Sequence, residues 1–472
     1  MCHVFIFFHE FVFLESIFSF ICLTGCKIEL CCLRYLAIVS YDINMDKTAK
    51  LIMDGKEYRF PILVGSKGER GIDISRLREQ TGFITLDAGL ANTGSCQSAI
   101  TYIDGEKGIL LYRGYPIEEL AANSTFVETA YLLIHGELPT KEKLSLFSSR
   151  LNESSLIHED MRHYFVAFPH HSHPMGILTT MVASIATFYP LPDILTSEAE
   201  EEVMANLISQ VRTMAAFSYK KSIGEPVVYP SFKLRYVENF LNMMFSSPVH
   251  DYKQDPDIVR AIELFLILHA DHEQNCSTST VRMAGSSMAN IYAVISAGIS
   301  ALWGPRHGGA NQEVIRMLEH INTTGCDPRE FVERAKHKNS NQRLMGFGHR
   351  IYKNFDPRAR ILKEACHKLL KKPGFSSPLF DIALKLEEIA LSDDYFIERK
   401  LYPNVDFYSG LILKAIGIPY NMFTVLFAIG RVPGWLAHWR EMVHSPDFRI
   451  ARPRQIYVGN TQRKYIPIDS RN

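Results

Sequence analysis

The chain reads as a mainly α protein with a small β-rich section near its start, and three observations predict this. Short alternating or β-branched runs (AKLIMDG, YRFPILVG, GFITLD), broken by Gly and Pro, fill residues 48–90 and read as strands. From about residue 115 the apolar positions take helical spacing and keep it. No internal repeat and no low-complexity tract interrupts that pattern. At 472 residues, 47% apolar and 22% charged, the chain has ordinary globular composition and length for two or three compact domains.

The elements follow in order. YPIEELAANSTFVETAYLLIHGELP places Leu120, Tyr131 and Leu132 on helical spacing and stops at Gly136 and Pro139. In SSMANIYAVISAGISALWGP the apolar residues Ile291, Val294, Ile295, Ile299, Leu302 and Trp303 share one face. The other positions are mostly Ala, Ser and Gly, which suits a packed interior or a subunit interface. Further helices are expected at about 311–321, 358–371, 379–392 and 408–416.

Residues 1–44 are unlike the rest, rich in Phe and Ile and holding five of the nine cysteines (Cys2, Cys22, Cys26, Cys31, Cys32). As a membrane span the stretch is interrupted by His9, Glu10 and Glu15. As a secretory signal it lacks a positive start, although LTGC at 23–26 resembles a lipoprotein cleavage box. We read Met45 as the true start and residues 1–44 as a non-native or untranslated extension. The other cysteines, Cys96, Cys276, Cys326 and Cys366, show no CxxC spacing, which argues against zinc and disulfides and for a reducing cytoplasm. With 51 basic and 51 acidic side chains the net charge is zero, so nucleic acid is not an expected partner.

Four constellations could carry chemistry. In HADHEQN, His269, His272 and Glu273 fall at i, i+3 and i+4 of a helix, a metal-like layout. It is not HExxH and has no clear third ligand, so a satisfied histidine or a substrate donor is the reading taken. In WGPRHGGANQE, His307 precedes a glycine pair and a helix start, where the dipole favours a neutral imidazole able to donate one hydrogen bond. A histidine in an ordinary Gly-rich loop is the plain reading.

LMGFGHRIYKNFDPRA surrounds His349 with Gly346 and Gly348 and adds Arg350, Lys353 and Arg358. GFG is not GxGxxG and lies in no strand-turn-helix unit, so nucleotide binding is weakly supported. The cations could dock carboxylates or phosphates, or be a solvated surface. In LYPNVDFYSGLILKA, Asp406 sits between Val405 and Phe407, either as a helix N-cap or as a base raised by burial. Arg431 in FAIGRVPGW and Arg452 in IARPRQIY lie beside residues typical of structured core.

Taken in order, ILHADHEQN, LWGPRHGGAN, LMGFGHRIYKNFDPRA, LYPNVDFYSG and ARPRQ strongly resemble citrate synthase, from about residue 48 to 463. KGILLYRGYPIEELA and the β-rich section are similar to the long, hexamer-forming bacterial (type II) form. The resemblance implies a large helical domain with a smaller one closing over the substrate. The expected boundaries are 45–95 for the β-rich section, 96–306 and 416–472 for the large domain, and 307–415 for the small one.

The resemblance also implies an enzyme that condenses acetyl-CoA with oxaloacetate and water to give citrate and CoA. Asp406 then matches the base for the acetyl methyl proton, and His307 the hydrogen-bond donor to the thioester oxygen. His349 matches the group polarising the oxaloacetate ketone, and His272 a further oxaloacetate contact. Arg358, Arg431 and Arg452 match the carboxylate-binding arginines, with Arg452 coming from a second copy. It implies no cofactor, no metal, a homo-oligomer with a dimer as the minimal active unit, no membrane and a cytoplasmic location. Lys353 and Asn354 stay open, facing either CoA phosphates or solvent.

One departure bears on regulation. Many hexameric members are inhibited allosterically by NADH, and carry Arg-His-Thr where this chain has Glu153-Ser154-Ser155 before Leu156-Ile157-His158-Glu159. A reactive cysteine of some members is replaced by Val249. Weak or absent NADH inhibition is therefore expected. The rival readings are 2-methylcitrate synthase, which uses propionyl-CoA and differs by one methylene worth roughly 1–3 kcal/mol, a metal-dependent hydrolase built on His269, His272 and Glu273, and a non-catalytic scaffold of the same fold.

Overall fold

The computed structural model describes residues 48–192, 195–337, 340, 342–372, 375 and 377–471, so the expectations for residues 1–44 and Met45 lie outside the described residues. The chain divides into two units, Met1–Cys96 with Arg454–Asn472, and Gln97–Pro453.

In the first unit the strands Thr48–Met53, Lys56–Val64 and Arg70–Ile72 form an antiparallel sheet in sequence order. A two-residue Asp54-Gly55 turn sets the register, with Met53 opposite Lys56 and Thr48 opposite Pro61. The run GFITLD, expected as a strand, has no regular structure, and a short helix, Leu77–Thr81, precedes it. Phe83 and Leu86 stay exposed: alternation makes a strand only where a partner strand supplies hydrogen bonds and a face to cover.

The second unit opens on an antiparallel sheet, Thr101–Asp104, Ile109–Tyr112 and Tyr115–Pro116. Helices follow, and the mainly α expectation holds. The segment read as one helical run is two helices, Ile117–Asn123 and Phe126–His135. Ser124 and Thr125 are extended between them, and the Thr125 hydroxyl accepts the Glu128 N–H at 3.2 Å, which restarts the helix. The helix Ile291–Leu302 buries Ile291, Val294, Ile295, Ile299 and Leu302 and packs on Pro174–Phe188 and Cys276–Gly285, whereas Trp303, read onto the same face, is exposed, its ring tilted against His173 at 5.1 Å.

The helix Phe423–Val443 is buried along most of its length and packs against Phe126–His135, Ser197–Ile223, Pro256–His269 and Cys276–Gly285. In a second group, Pro357–Leu370 and Ala310–Thr324 pack on Val405–Ile416, Pro378–Ser392 packs on Ala310–Thr324, and Pro328–Lys336 packs on Pro378–Ser392. Pro357–Leu370 joins the two groups by also packing on Pro256–His269. Four of these helices start Asp-Pro or Ser-Pro: the side chains of Asp255, Asp327, Asp356 and Ser377 accept a backbone N–H two residues on, and proline fills the first helical position, where its missing N–H costs nothing.

Candidate active site

The helix Pro256–His269 ends at its histidine, and the chain turns through Asp271–Asn275. His269 has its Nδ1 2.7 Å from the Phe265 carbonyl, which only accepts, so that nitrogen carries the proton. The ring stacks on Phe265, and burial pushes it down to about 3. His272 is 6% exposed, with Nε2 3.3 Å from the Tyr352 hydroxyl. Burial, helped by Arg358, holds it well below the ordinary histidine range. Among the described residues no group of three His, Cys, Asp or Glu is arranged to hold an ion.

Asn275 caps the next helix, Cys276–Gly285, by accepting the Thr278 N–H. The Ser277 amide donates to His307 Nε2 at 3.3 Å, and its hydroxyl, which also reaches Asn275 Oδ1 at 2.8 Å, lies 2.8 Å from the same nitrogen. An amide N–H only donates, so Nε2 is the lone-pair nitrogen and the His307 proton sits on Nδ1. Trp435 Nε1–H donates to the same Ser277 oxygen at 3.2 Å, fixing it. His307 is pushed down to about 4, by burial first and Arg431 second. The neutral imidazole expected at a helix start is present, but burial is the leading cause.

The His349 loop is held from both sides. Gly346 and Gly348 adopt φ of 81° and 76°, and the Gly348 N–H donates to Tyr402 O at 2.8 Å. The Asn404 N–H donates to Gly346 O at 2.9 Å, and its side chain to Gly348 O at 2.8 Å. The loop is thereby zipped to residues 402–404, which lead directly into Asp406. His349 Nδ1 accepts the N–H groups of Ile351 and Tyr352 at 3.1 and 3.2 Å, so Nε2 carries the proton. Burial, then Arg358, pushes this imidazole to about 4. The His272 and His349 rings lie 5.5 Å apart.

Arg358 is 3% exposed and makes a two-point contact to Asp356, at 3.0 and 2.9 Å. Asp356 also accepts the Val405 N–H at 3.1 Å, tying the arginine to the helix that carries Asp406. Although burial opposes it, Arg358 keeps the Asp356 carboxyl below its ordinary value. Arg431 is 1% exposed; its Nε donates to His269 O at 2.6 Å, and its Nη1 has no hydrogen-bond partner. Burial lowers it to about 10, so it stays charged at neutral pH. Arg452 differs from both: it is exposed, next to Ala451, whose amide is bonded to Ser286.

Asp406 is the second residue of the helix Val405–Ile416, three residues earlier than the helix was expected to begin. It is not the cap: Asn404 is, accepting the Asp406 N–H at 3.0 Å. Its carboxyl is raised to about 6 by burial, against the pull of Arg358. Lys353 and Asn354 are engaged by their neighbours, the Lys353 N–H with Gly105 O at 2.8 Å and the Asn354 side chain with Glu106 O at 3.4 Å. Reading the sequence missed Ser277, Tyr352 and Asp356. Only Asp356 had a usable signal, the Asp-Pro start of a helix.

The chain matches the family model described as citrate synthase, C-terminal domain, over residues 89–454. It is 52% identical over 429 residues to proteins named citrate synthase 1 from two strains of Mycobacterium tuberculosis, covering 91% of this chain and 100% of those. Its structure is similar to that of citrate synthase from Pyrobaculum aerophilum (TM-score 0.76, 37% identity, 90% of this chain and 100% of that one). It is also similar to a ternary complex of carboxymethyl coenzyme A and oxaloacetate with citrate synthase from Thermoplasma acidophilum (TM-score 0.75, 33% identity, 82% of this chain and 100% of that one).

Proposed function

The chain belongs to the citrate synthase family, and we propose that its site joins the methyl carbon of acetyl-CoA to the ketone of oxaloacetate and hydrolyses the product to citrate and CoA, as a citrate (Si)-synthase. The observation that carries the reading is one carboxyl raised to about 6 and two imidazoles kept neutral, each with an N–H to donate, with Arg358 acting on both the carboxyl and the His349 ring. Asp406 takes the methyl proton. The C–H electrons move into the enolate, and His307 Nδ1–H meets the charge gathering on the thioester oxygen. A carboxylate is far too weak a base for this step unless the oxyanion is stabilised as it forms.

The enolate carbon then attacks the ketone carbon of oxaloacetate, whose oxygen is polarised by His349 Nε2–H. Arg358 and Arg431 hold the carboxylates, with Arg452 supplied by a second copy and His272 a further contact. Water then cleaves the citryl thioester and releases the CoA thiol. No cofactor enters these steps.

Residues 307–415 act as a small domain closing over 96–306 and 416–472, excluding water before the enolate forms. The packing of Phe423–Val443 on helices from the earlier part of the chain supports that division. The β-rich start supports a homohexamer built from dimers, and no helix among the described residues is long and apolar enough to cross a membrane, which is compatible with a cytoplasmic location. Glu153-Ser154-Ser155 and Val249 support weak NADH inhibition; strong inhibition by micromolar NADH would refute it.

The test is thiol release with oxaloacetate, comparing acetyl-CoA with propionyl-CoA. Preferred use of acetyl-CoA supports the reading, and preferred use of propionyl-CoA replaces it with a 2-methylcitrate synthase. Activity lost to EDTA would instead point to the metal-dependent hydrolase.

A further inference from the structure

The hairpin formed by Thr101–Asp104 and Ile109–Tyr112 carries none of the groups assigned above, yet it touches the segments that carry them. At its base, the fully buried Tyr112 hydroxyl donates to Asp271 O at 2.9 Å and lies 3.2 Å from the Asp271 N–H. From the facing strand, the Ile103 N–H donates to Glu273 Oε1 at 2.9 Å. The two strands thus grip the residue before and the residue after His272. Glu273 holds this turn with a φ of 51°, a conformation a non-glycine residue adopts only when its surroundings fix it.

At its tip the same hairpin meets the other imidazole's loop. The Lys353 N–H donates to Gly105 O at 2.8 Å. A Cβ on Gly105 would fall 2.8 Å from the carbonyl carbon of Ile351, and one on Gly108, where φ is +68°, would fall 2.6 Å from Phe355 O. The stretch between His349 and Arg358 therefore lies directly on the backbone of the tip, with no room for a methyl group. Glu106 adds an exposed ion pair to Lys400, ahead of the residues zipped to the His349 loop.

We propose that this hairpin is a positioning element for oxaloacetate: it fixes the spacing of His272 and His349 by holding the Asp271–Glu273 turn at its base and the 351–355 stretch at its tip. Gly105, Gly108, Tyr112 and Glu273 are its positioning residues. A hairpin that merely completed the core would need Leu110 and Tyr112 buried, as they are, but would need no close backbone approach at its polar, solvent-edge tip. The inference rests on oxaloacetate binding between these two loops.

The experiment is steady-state kinetics and oxaloacetate binding on the full-length enzyme and on Gly105→Ala. The methyl group displaces the 351–355 stretch, and a misplacement of about an ångström is expected to raise the oxaloacetate KM and Kd roughly tenfold or more. The acetyl-CoA KM should stay within about twofold, since uniform damage is not expected. A folded variant with unchanged oxaloacetate KM, or with both KM values raised alike, overturns the proposal.

Should Gly105→Ala not fold, the pair Glu273→Ala and Glu273→Gln decides. The glutamine oxygen still accepts the Ile103 N–H, so Gln should recover most of the oxaloacetate affinity that Ala loses. Equal loss in both, or none in either, refutes the role. Wild-type enzyme is assayed first: no thiol release there refutes the citrate synthase reading and this proposal with it, while normal release with unaffected variants refutes the hairpin alone.

Discussion

The two sides of the proposed site are built on different physics. On the acetyl side stand Asp406, raised to about 6, and His307, lowered to about 4, groups whose value lies in where their protons sit. On the oxaloacetate side stand Arg358 and Arg431, charged at any physiological pH, with His349 aimed by two backbone amides. The first side governs how fast a proton moves and so should control kcat. The second fixes where a dianion lies and so should control the oxaloacetate KM.

The sharpest way to break that distinction is Asp406→Asn. Amide replaces carboxylate at nearly constant shape, and removing the base should cost about 10³-fold in kcat while oxaloacetate still binds. Turnover within tenfold of wild type, measured by thiol release, would refute the base assignment and with it the division between the two sides.

On the other side the arginines differ from each other. Arg358 already has a bonded carboxylate partner in Asp356, whereas Arg431 bonds the His269 carbonyl, feels the Asp271 carboxylate without a bond to it, and has an unpartnered Nη1. A buried guanidinium with no carboxylate bonded to it is costly unless a ligand supplies one. Arg431→Gln should therefore raise the oxaloacetate KM by about 10²-fold, from a charge-assisted hydrogen bond of about 1.5–3 kcal/mol, with kcat changed less. A loss confined to kcat would place Arg431 on the acetyl side.

How much of this the sequence disclosed depends on the kind of constraint. His272, His307, His349, Arg358 and Asp406 stand out in a linear reading as polar residues among glycines and apolar neighbours, and only the ordered resemblance gives them roles. The arrangement that makes them neutral or raised was not legible, since it comes from contacts distant in the chain. Ser277 reaches His307 across 30 residues, and Asp356 reaches the Val405 amide across 49. Helix starts were misplaced where caps, not apolar periodicity, set them, as at Asn404. The GFITLD strand failed for the same reason: its pattern was local, and the partner it needed was not there.

Ser277 gives a smaller test on the acetyl side. Its amide donates to His307 Nε2 and its hydroxyl lies 2.8 Å from the same nitrogen, and Ser277→Ala keeps only the amide. Losing about 1 kcal/mol of orientation should lower kcat roughly fivefold and leave the oxaloacetate KM unchanged. A shift in that KM instead would mean that Ser277 supports the wrong side.

The smallest effect is on stability, and its sign follows from the direction of the Asp406 shift. Burial raises the folded-state value from 3.8 to about 6, so the folded protein binds this proton more tightly than the unfolded chain does. Below pH 3.8 the carboxyl is protonated in both states and costs nothing. As pH rises through about 6 the folded state must ionise a desolvated group, and stability falls. Asp406→Asn removes that penalty, so its melting temperature should exceed that of wild type at pH 8 by roughly 2 °C, and the gap should close as pH falls toward 4. The same ionisation sets activity, because only the carboxylate is a base: wild-type kcat/KM should decline below about pH 6. The pH range in which the enzyme gains activity is the range in which Asp406 destabilises it. A melting-temperature gap independent of pH would show that the carboxyl is not held in the raised state on which the acetyl side depends.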